Sequence, residues 1–295
     1  MKSLGQHIPV KTRREIALMR EAGRHVAEIL AELEALVQPG ITTKELDRFA
    51  EKKLEERGLE SSFKGYDPYG LPPYPGVLCV SVNEEIVHGI PGSRTIQAGD
   101  VVSLDFGLSV GGFHGDAART VLVGEVEADR QRLVEVTRES LEKAIAQMTP
   151  GRRLSDIGHA VQSHVELHGF SVVRDFAGHG IGRRMHEAPW IPNYGTPGRG
   201  PRLVAGMVFA IEPMVNRGGP EVRILDDEWT AVTADGSPSA HFEHTVLVTE
   251  GEPEVLTRLA GDAPPAVGRG RWRSGPRCGR CATSAASCGA AGSYA

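Results

Sequence analysis

The chain repeats itself, and this limits its fold more than any other feature does. The stretches Pro39 to Gly58 and Pro150 to Gly169 are both 20 residues long. Each opens Pro-Gly, carries apolar residues at helical spacing from its sixth or seventh position, and ends in Gly. Further along, Ala98-Gly-Asp-Val-Val-Ser-Leu-Asp105 parallels Ala205-Gly-Met-Val-Phe-Ala-Ile-Glu212. The offset is 111 residues for the helices and 107 for the strands. Two matches in the same order outweigh a coincidence of Pro-Gly helix stops. They describe one α+β unit present twice, its halves packed about a pseudo-twofold axis.

The helices have clear ends. Thr12-Arg-Arg-Glu15 and Thr42-Thr-Lys-Glu45 are both capping-box patterns. After the first, Ile16, Met19, Gly23, Val26, Leu30, Leu33 and Val37 recur every three or four residues until Pro39-Gly40. After the second, Leu46, Phe49, Ala50 and Leu54 form an apolar face that Gly58 ends. In the second half Leu133, Val136, Ser140, Leu141, Ala144, Ile145 and Met148 make a helix stopped by Pro150-Gly151. Residues 61–76 read as a loop, and Val77–Val82 as a strand.

Between the repeats lies Asp105-Phe-Gly-Leu-Ser-Val-Gly-Gly-Phe-His-Gly-Asp116, with strand-like sequence on both sides. A two-residue turn at Val110-Gly111 puts Asp105 directly opposite Asp116 on one face, with Cβ atoms roughly 4.5–5.5 Å apart. Facing carboxylates repel unless a cation or a proton lies between them. On its own this could be an exposed pair on a solvated hairpin. The repeat argues otherwise, because it maps Asp105 onto Glu212. Reading His241-Phe-Glu-His-Thr-Val-Leu-Val248 as the next strand, and matching its Thr-Val-Leu-Val to Thr120–Val123, maps Asp116 onto His241 and leaves Glu243 on the same face two residues on. Each half then contributes two carboxylates to one centre.

His179, between glycines in Phe176-Ala-Gly-His-Gly-Ile-Gly182, is the remaining candidate. Four carboxylates in one cleft are costly without cations. Two divalent ions balance them, and paired ions suit hydrolysis of an amide. One His among oxygen ligands favours Mn, Fe, Co or Zn and leaves the choice open.

These residues sit in motifs that closely resemble type I methionine aminopeptidases, metallopeptidases of the "pita-bread" fold, with a central antiparallel sheet and outer helices. The motifs are Val-Asn-Glu-Glu-Ile-Val-His88-Gly-Ile-Pro, Leu-Asp105-Phe-Gly, Phe-His-Gly-Asp116, Gly-His179-Gly-Ile-Gly, Met-His186-Glu-Ala-Pro, Ile-Glu212-Pro-Met and Glu243-His-Thr. The resemblance covers about Ile8 to Leu259. It implies removal of the first Met from nascent chains whose second residue is small, using two divalent ions. Asp105 would chelate one ion, Asp116 and Glu243 would bridge, and His179 with Glu212 would hold the other. His186 would stabilise the oxyanion, His88 would contact the scissile amide, and Glu212 would also shuttle protons. Cys79, Trp229, Tyr74 and Tyr66 match positions of the methionine pocket. The Tyr66–Pro75 loop is longer than the family's Tyr-rich loop, and Ala117 stands where a hydroxyl residue is common.

Only 25 residues separate His186 from Glu212, too few for the insert of type II enzymes. Prolidases carry an extra domain ahead of the shared fold. Metal-free pita-bread modules that bind peptides, histones or RNA lack ligands that are all present here.

The chain holds 295 residues, with a formal net charge of −5. That gives no general attraction to nucleic acid or anionic lipid. No apolar run approaches the roughly 18 residues of a spanning helix, and Met-Lys-Ser-Leu-Gly-Gln-His lacks the apolar core of a signal peptide. The expectation is a cytoplasmic monomer with no membrane or specific nucleic-acid partner. Its catalytic domain spans 1–260, in halves of about 8–125 and 126–260. The tail 261–295 is rich in Gly, Ala, Ser and Pro, with five Arg and one Asp, and reads as disordered. Its basic balance leaves room for a transient contact with ribosomal RNA. Cys278, Cys281 and Cys288 lack a fourth ligand at a zinc spacing.

Overall fold

The computed structural model describes residues 8–68, 70–259 and 261. Apart from Gly261, the tail and its three cysteines lie outside them.

Both capping boxes form. Helix α1 is Arg13–Leu36, with Thr12 accepting from the Glu15 amide and the Glu15 carboxylate accepting from the Thr12 amide. Helix α2 is Thr43–Arg57, capped in the same way by Thr42 and Glu45 and closed by Gly58 at φ +63°. Helices α3 and α4 are Ala128–Ile145 and Leu154–Leu167. Helix α4 falls where the repeat places it, 111 residues after α2.

In chain order the strands are β1 Glu60–Ser61, β2 Cys79–Val82, β3 Glu85–Val87, β4 Val101–Val110, β5 Phe113–Leu122, β6 Ser171–Val172, β7 Gly178–Gly180 and β8 Glu187–Ile191. They continue with β9 Val208–Ile211, β10 Met214–Asn216, β11 Val222–Ile224, β12 Ala231–Thr233, β13 Ser239–His241, β14 Glu243–Leu247 and β15 Glu254–Val255. The main sheet runs β1-β4-β5-β14-β9-β7-β8, with β2 also on β4 and β15 on β14. The described pairings are antiparallel. The order β4-β5 followed by β14-β9 is a palindrome about the β5–β14 seam, as a duplicated unit requires.

One detail makes the pseudo-twofold concrete. On β14, Thr245 Oγ1 donates to the Asp116 carbonyl and accepts from the Asp116 amide, at 2.8 and 3.0 Å. On β5, Thr120 Oγ1 donates to the His241 carbonyl and accepts from the His241 amide, at 2.7 and 3.0 Å. Thr120 and Thr245 are equivalent positions of the repeat, and so are Asp116 and His241. Each half thus grips the other with the same hydroxyl.

The core has two principal parts, one per half. Val26, Leu30, Leu33, Leu46 and Leu54 of α1 and α2 pack on Val80, Leu104 and Phe106. Leu133, Leu141, Ile157 and Val161 of α3 and α4 pack on Phe209, Ile211 and Val246. The helices therefore cover one face of the sheet.

Two sequence expectations need correction. The hairpin turn is Gly111-Gly112, not Val110-Gly111, because Val110 pairs with Phe113. Both turn glycines have positive φ, +57° and +76°, which a two-residue turn matching strand twist requires. The register shifts by two, so Asp105 pairs with Ala118 and Asp116 with Gly107. The acids are diagonal neighbours rather than partners. A shift of two keeps both on the same face. Second, His241–Val248 is not one strand. It breaks at Phe242, and His241 pairs with Met214 in a separate three-stranded sheet.

Candidate active site

The paired strands β4, β5, β14, β9 and β7 deliver Asp105, Asp116, Glu243, Glu212 and His179 to one cavity of about 690 Å³, which they line together with His88 and His186. Glu243 pairs with Ala118 across the seam. Asp105 pairs with that same Ala118 from the other side, which draws the two halves' carboxylates together. Ligand atoms of Asp116, His179 and Glu243 lie within 4.8 Å of one another. His179 Nε2 is 3.5 Å from Glu212 Oε1.

His179 Nδ1 lies 2.9 Å from the Gly180 carbonyl. That hydrogen bond puts the ring proton on Nδ1 and turns the Nε2 lone pair into the site, the arrangement of a metal-ligating His. Glycines make the approach possible, since a Cβ at Gly180 would lie 2.1 Å from the Ala188 carbonyl oxygen.

Burial and mutual repulsion push the acids toward protonation. Asp105 rises to about 7, mainly through burial. Asp116, Glu212 and Glu243 rise well above the carboxylate range, through burial first and then the neighbouring acids. Burial lowers His179 to about 3 and His88 to about 4. Asp105 Oδ1, Asp116 Oδ1 and Glu243 Oε1 are buried with no hydrogen-bond partner. Orphaned acceptors facing a bare imidazole nitrogen are unstable alone and well matched to divalent cations. The residues therefore fit a metal.

The sequence-predicted neighbours also converge. His88 occupies a left-handed backbone conformation, φ +62°, rare for a residue with a Cβ and typical of functional positions. His186 stacks near His179, ring centroids 4.2 Å apart, and its Nδ1 is hydrogen-bonded to the Tyr66 hydroxyl. Tyr74, Cys79 and Trp229 line the apolar side of the cavity. Tyr74 and Trp229 meet edge to face at 5.2 Å, and Trp229 Nε1 donates to the Pro72 carbonyl at 2.7 Å. The long loop after Tyr66 is thereby tied to the pocket wall.

The sequence reading missed Phe63, Met185, Phe176 and Trp190, which line the same cavity. Met185 adjoins His186 and was in view. Phe176 heads the glycine-flanked stretch that carries His179, whereas Phe63 and Trp190 carry no motif of their own and only the packing brings them in.

The model of "Metallopeptidase family M24" matches residues 17–250. The chain belongs to metallopeptidase family M24. Within that family it is 53% identical over 249 residues to methionine aminopeptidase 1 of Bacillus subtilis, covering 84% of this chain and 98% of the relative. The crystal structure of methionine aminopeptidase from Thermotoga maritima superposes with a TM-score of 0.83 at 47% identity, covering 86% of this chain and all of the other. The prolidase from Pyrococcus horikoshii is 19% identical with a TM-score of 0.67, a likeness of M24 fold alone. The M24 assignment confirms the duplicated pita-bread architecture. Among the described residues no helix is long and apolar enough to cross a membrane.

Proposed function

We propose that this M24 chain is a methionine aminopeptidase that removes the first residue from polypeptides beginning with Met and a small second residue, using two divalent ions. The observation that carries the reading is the set of buried, unpartnered oxygens on Asp105, Asp116 and Glu243, gathered with the Nε2 of His179 and the carboxylate of Glu212 3.5 Å from it.

In this reading Asp105 would hold one ion, Asp116 and Glu243 would be shared between the two, and His179 with Glu212 would hold the other. Ions bound there supply Lewis acidity and lower the pKa of water. The chain's own groups do the rest. Glu212, whose pKa is raised by burial and neighbouring acids, takes up a proton and returns it to the departing amine. A Tyr66 hydroxyl that donates to His186 Nδ1 leaves the ring proton on Nε2, where it can donate to the carbonyl oxygen as charge develops. His88, fixed by its backbone, contacts the scissile amide. Tyr74, Cys79 and Trp229 enclose the methionine side chain, with Tyr66 at the edge. The catalytic domain extends over 1–260, works as a cytoplasmic monomer on nascent chains, and needs no part of the tail.

The test is release of free Met from Met-Ala-Ser and Met-Leu-Ser after chelation, with Mn, Fe, Co or Zn restored one at a time. Cleavage of the first peptide alone, and only with metal, is expected. Equal cleavage of both, or full activity after chelation, would overturn the reading.

A further inference from the structure

We propose that Trp190, with Ile224, forms an apolar platform at the mouth of the catalytic cavity that favours a large apolar side chain at the third residue of the substrate. This rests on the aminopeptidase reading and extends it past the scissile bond.

Trp190 lies on β8 directly opposite His179 on β7. Paired residues of antiparallel strands project to the same face, with Cβ atoms roughly 4.5–5.5 Å apart. The Trp190 side chain therefore stands on the catalytic face beside a metal-ligating histidine. Unlike His179, which is buried, it is 51% exposed. Ile224, on β11 of another sheet, is 46% exposed and lines the same cavity.

Single exposed apolar residues are ordinary. Among the described residues five large ones stand out: Val10, Leu167, Trp190, Val204 and Ile224. Two of the five open on one cavity, which the other three do not line. A substrate whose first residue fills the pocket walled by Tyr74, Cys79 and Trp229 must leave through the mouth. Its second residue is small and offers little to hold. The third is the first with a free choice of side chain. In an extended peptide it lies roughly 3.3 Å further along per residue, within reach of a Trp ring anchored one strand away from His179. A Trp presents a wide, stiff apolar surface there at little entropic cost.

The experiment compares kcat/KM of the metal-loaded full chain for Met-Ala-Phe-Ser and Met-Ala-Gly-Ser. Wild type is expected to prefer Phe by about fivefold, the scale of an aromatic contact. The preference should fall to about twofold or less in Trp190→Gln, return in Trp190→Tyr, and weaken in Ile224→Ser. Ile224→Ser lies on a different strand and serves as an independent readout if Trp190→Gln fails to load metal. A wild-type ratio near one, or an unchanged ratio in Trp190→Gln and Ile224→Ser, would overturn the proposal. Failure of the wild type to release Met from either peptide would instead overturn the aminopeptidase reading itself.

Discussion

Lys11 Nζ lies 2.5 Å from Glu187 Oε2, and the two side chains keep only 6% and 8% of their exposure. Lys11 precedes α1, while Glu187 directly follows His186. The other Glu187 oxygen accepts from the Arg184 amide at 3.2 Å, and the Lys11 amide donates to the Gly206 carbonyl at 2.7 Å. One buried ion pair thus fastens the start of the chain to the loop that carries His186. Removing one partner leaves an uncompensated buried charge, at a cost of roughly 3–5 kcal/mol. Lys11→Met and Glu187→Gln should each lower stability in urea by about that much. The double variant Lys11→Met with Glu187→Gln should lose less than the sum of the two. Additive losses would show the groups do not interact.

Asp116→Asn and Glu243→Gln should each lower metal content and nearly abolish Met release. An amide can neither bridge two cations nor offset their charge. Both residues are buried to 3% or less, so no solvent path replaces the lost ligand. Full metal loading with normal turnover in either variant would sink the two-ion reading.

His186→Ala should keep its metals and lose turnover by about 10²–10³ in kcat, the usual worth of one oxyanion donor. The effect on KM should be smaller, because the charge exists only in the transition state. Tyr66→Phe should show a weaker form of the same kcat loss, since the ring remains while the bond to His186 Nδ1 is gone. Metal analysis beside steady-state kinetics decides the matter, and metal loss in His186→Ala would point to a structural role.

The metal-free protein should lose stability as pH rises from about 6.5 through about 7, the upper end of the interval between the unfolded and folded values of Asp105. Asp105 titrates at about 7 in the fold, above its unfolded value, so its contribution is full at low pH and lost as pH rises through that value. Asp116, Glu212 and Glu243 are shifted in the same direction. The buried histidines act oppositely: His88 at about 4, His179 and His241 at about 3 lose their contribution only as pH falls below about 6.5. In this window the carboxylates decide. Saturating metal keeps them ionised, so the slope should flatten, and metal affinity should rise with pH as protons are released. Melting curves with and without chelator check this, and equal slopes would contradict it.

Deleting residues 261–295 should leave turnover of Met-Ala-Ser within about twofold. Every proposed site residue lies between Tyr66 and Glu243, and a segment so poor in large apolar residues has little to pack with. A loss beyond tenfold, with circular dichroism unchanged, would give the tail a part in catalysis.

The sequence by itself determined the parts held by short-range forces. Thr12 with Glu15 and Thr42 with Glu45 bond across three residues, so the helix starts were readable from local spelling. The duplication was readable because each half solves the same packing problem with the same pattern. The two faces of the hairpin were readable too, since alternation fixes the side on which Asp105 and Asp116 stand even when the turn is misplaced by one residue. The tertiary structure decided the rest. It set the diagonal rather than direct pairing of those acids, and it moved His241 onto a sheet apart from Glu243. It also laid Tyr66 against His186, joined Lys11 to Glu187 across 176 positions, and stood Trp190 beside His179. Those contacts depend on turn geometry, on a strand break at Phe242 and on which strands meet at the seam. Such choices follow from the packing of all the elements at once and leave no local trace in the residues that make them.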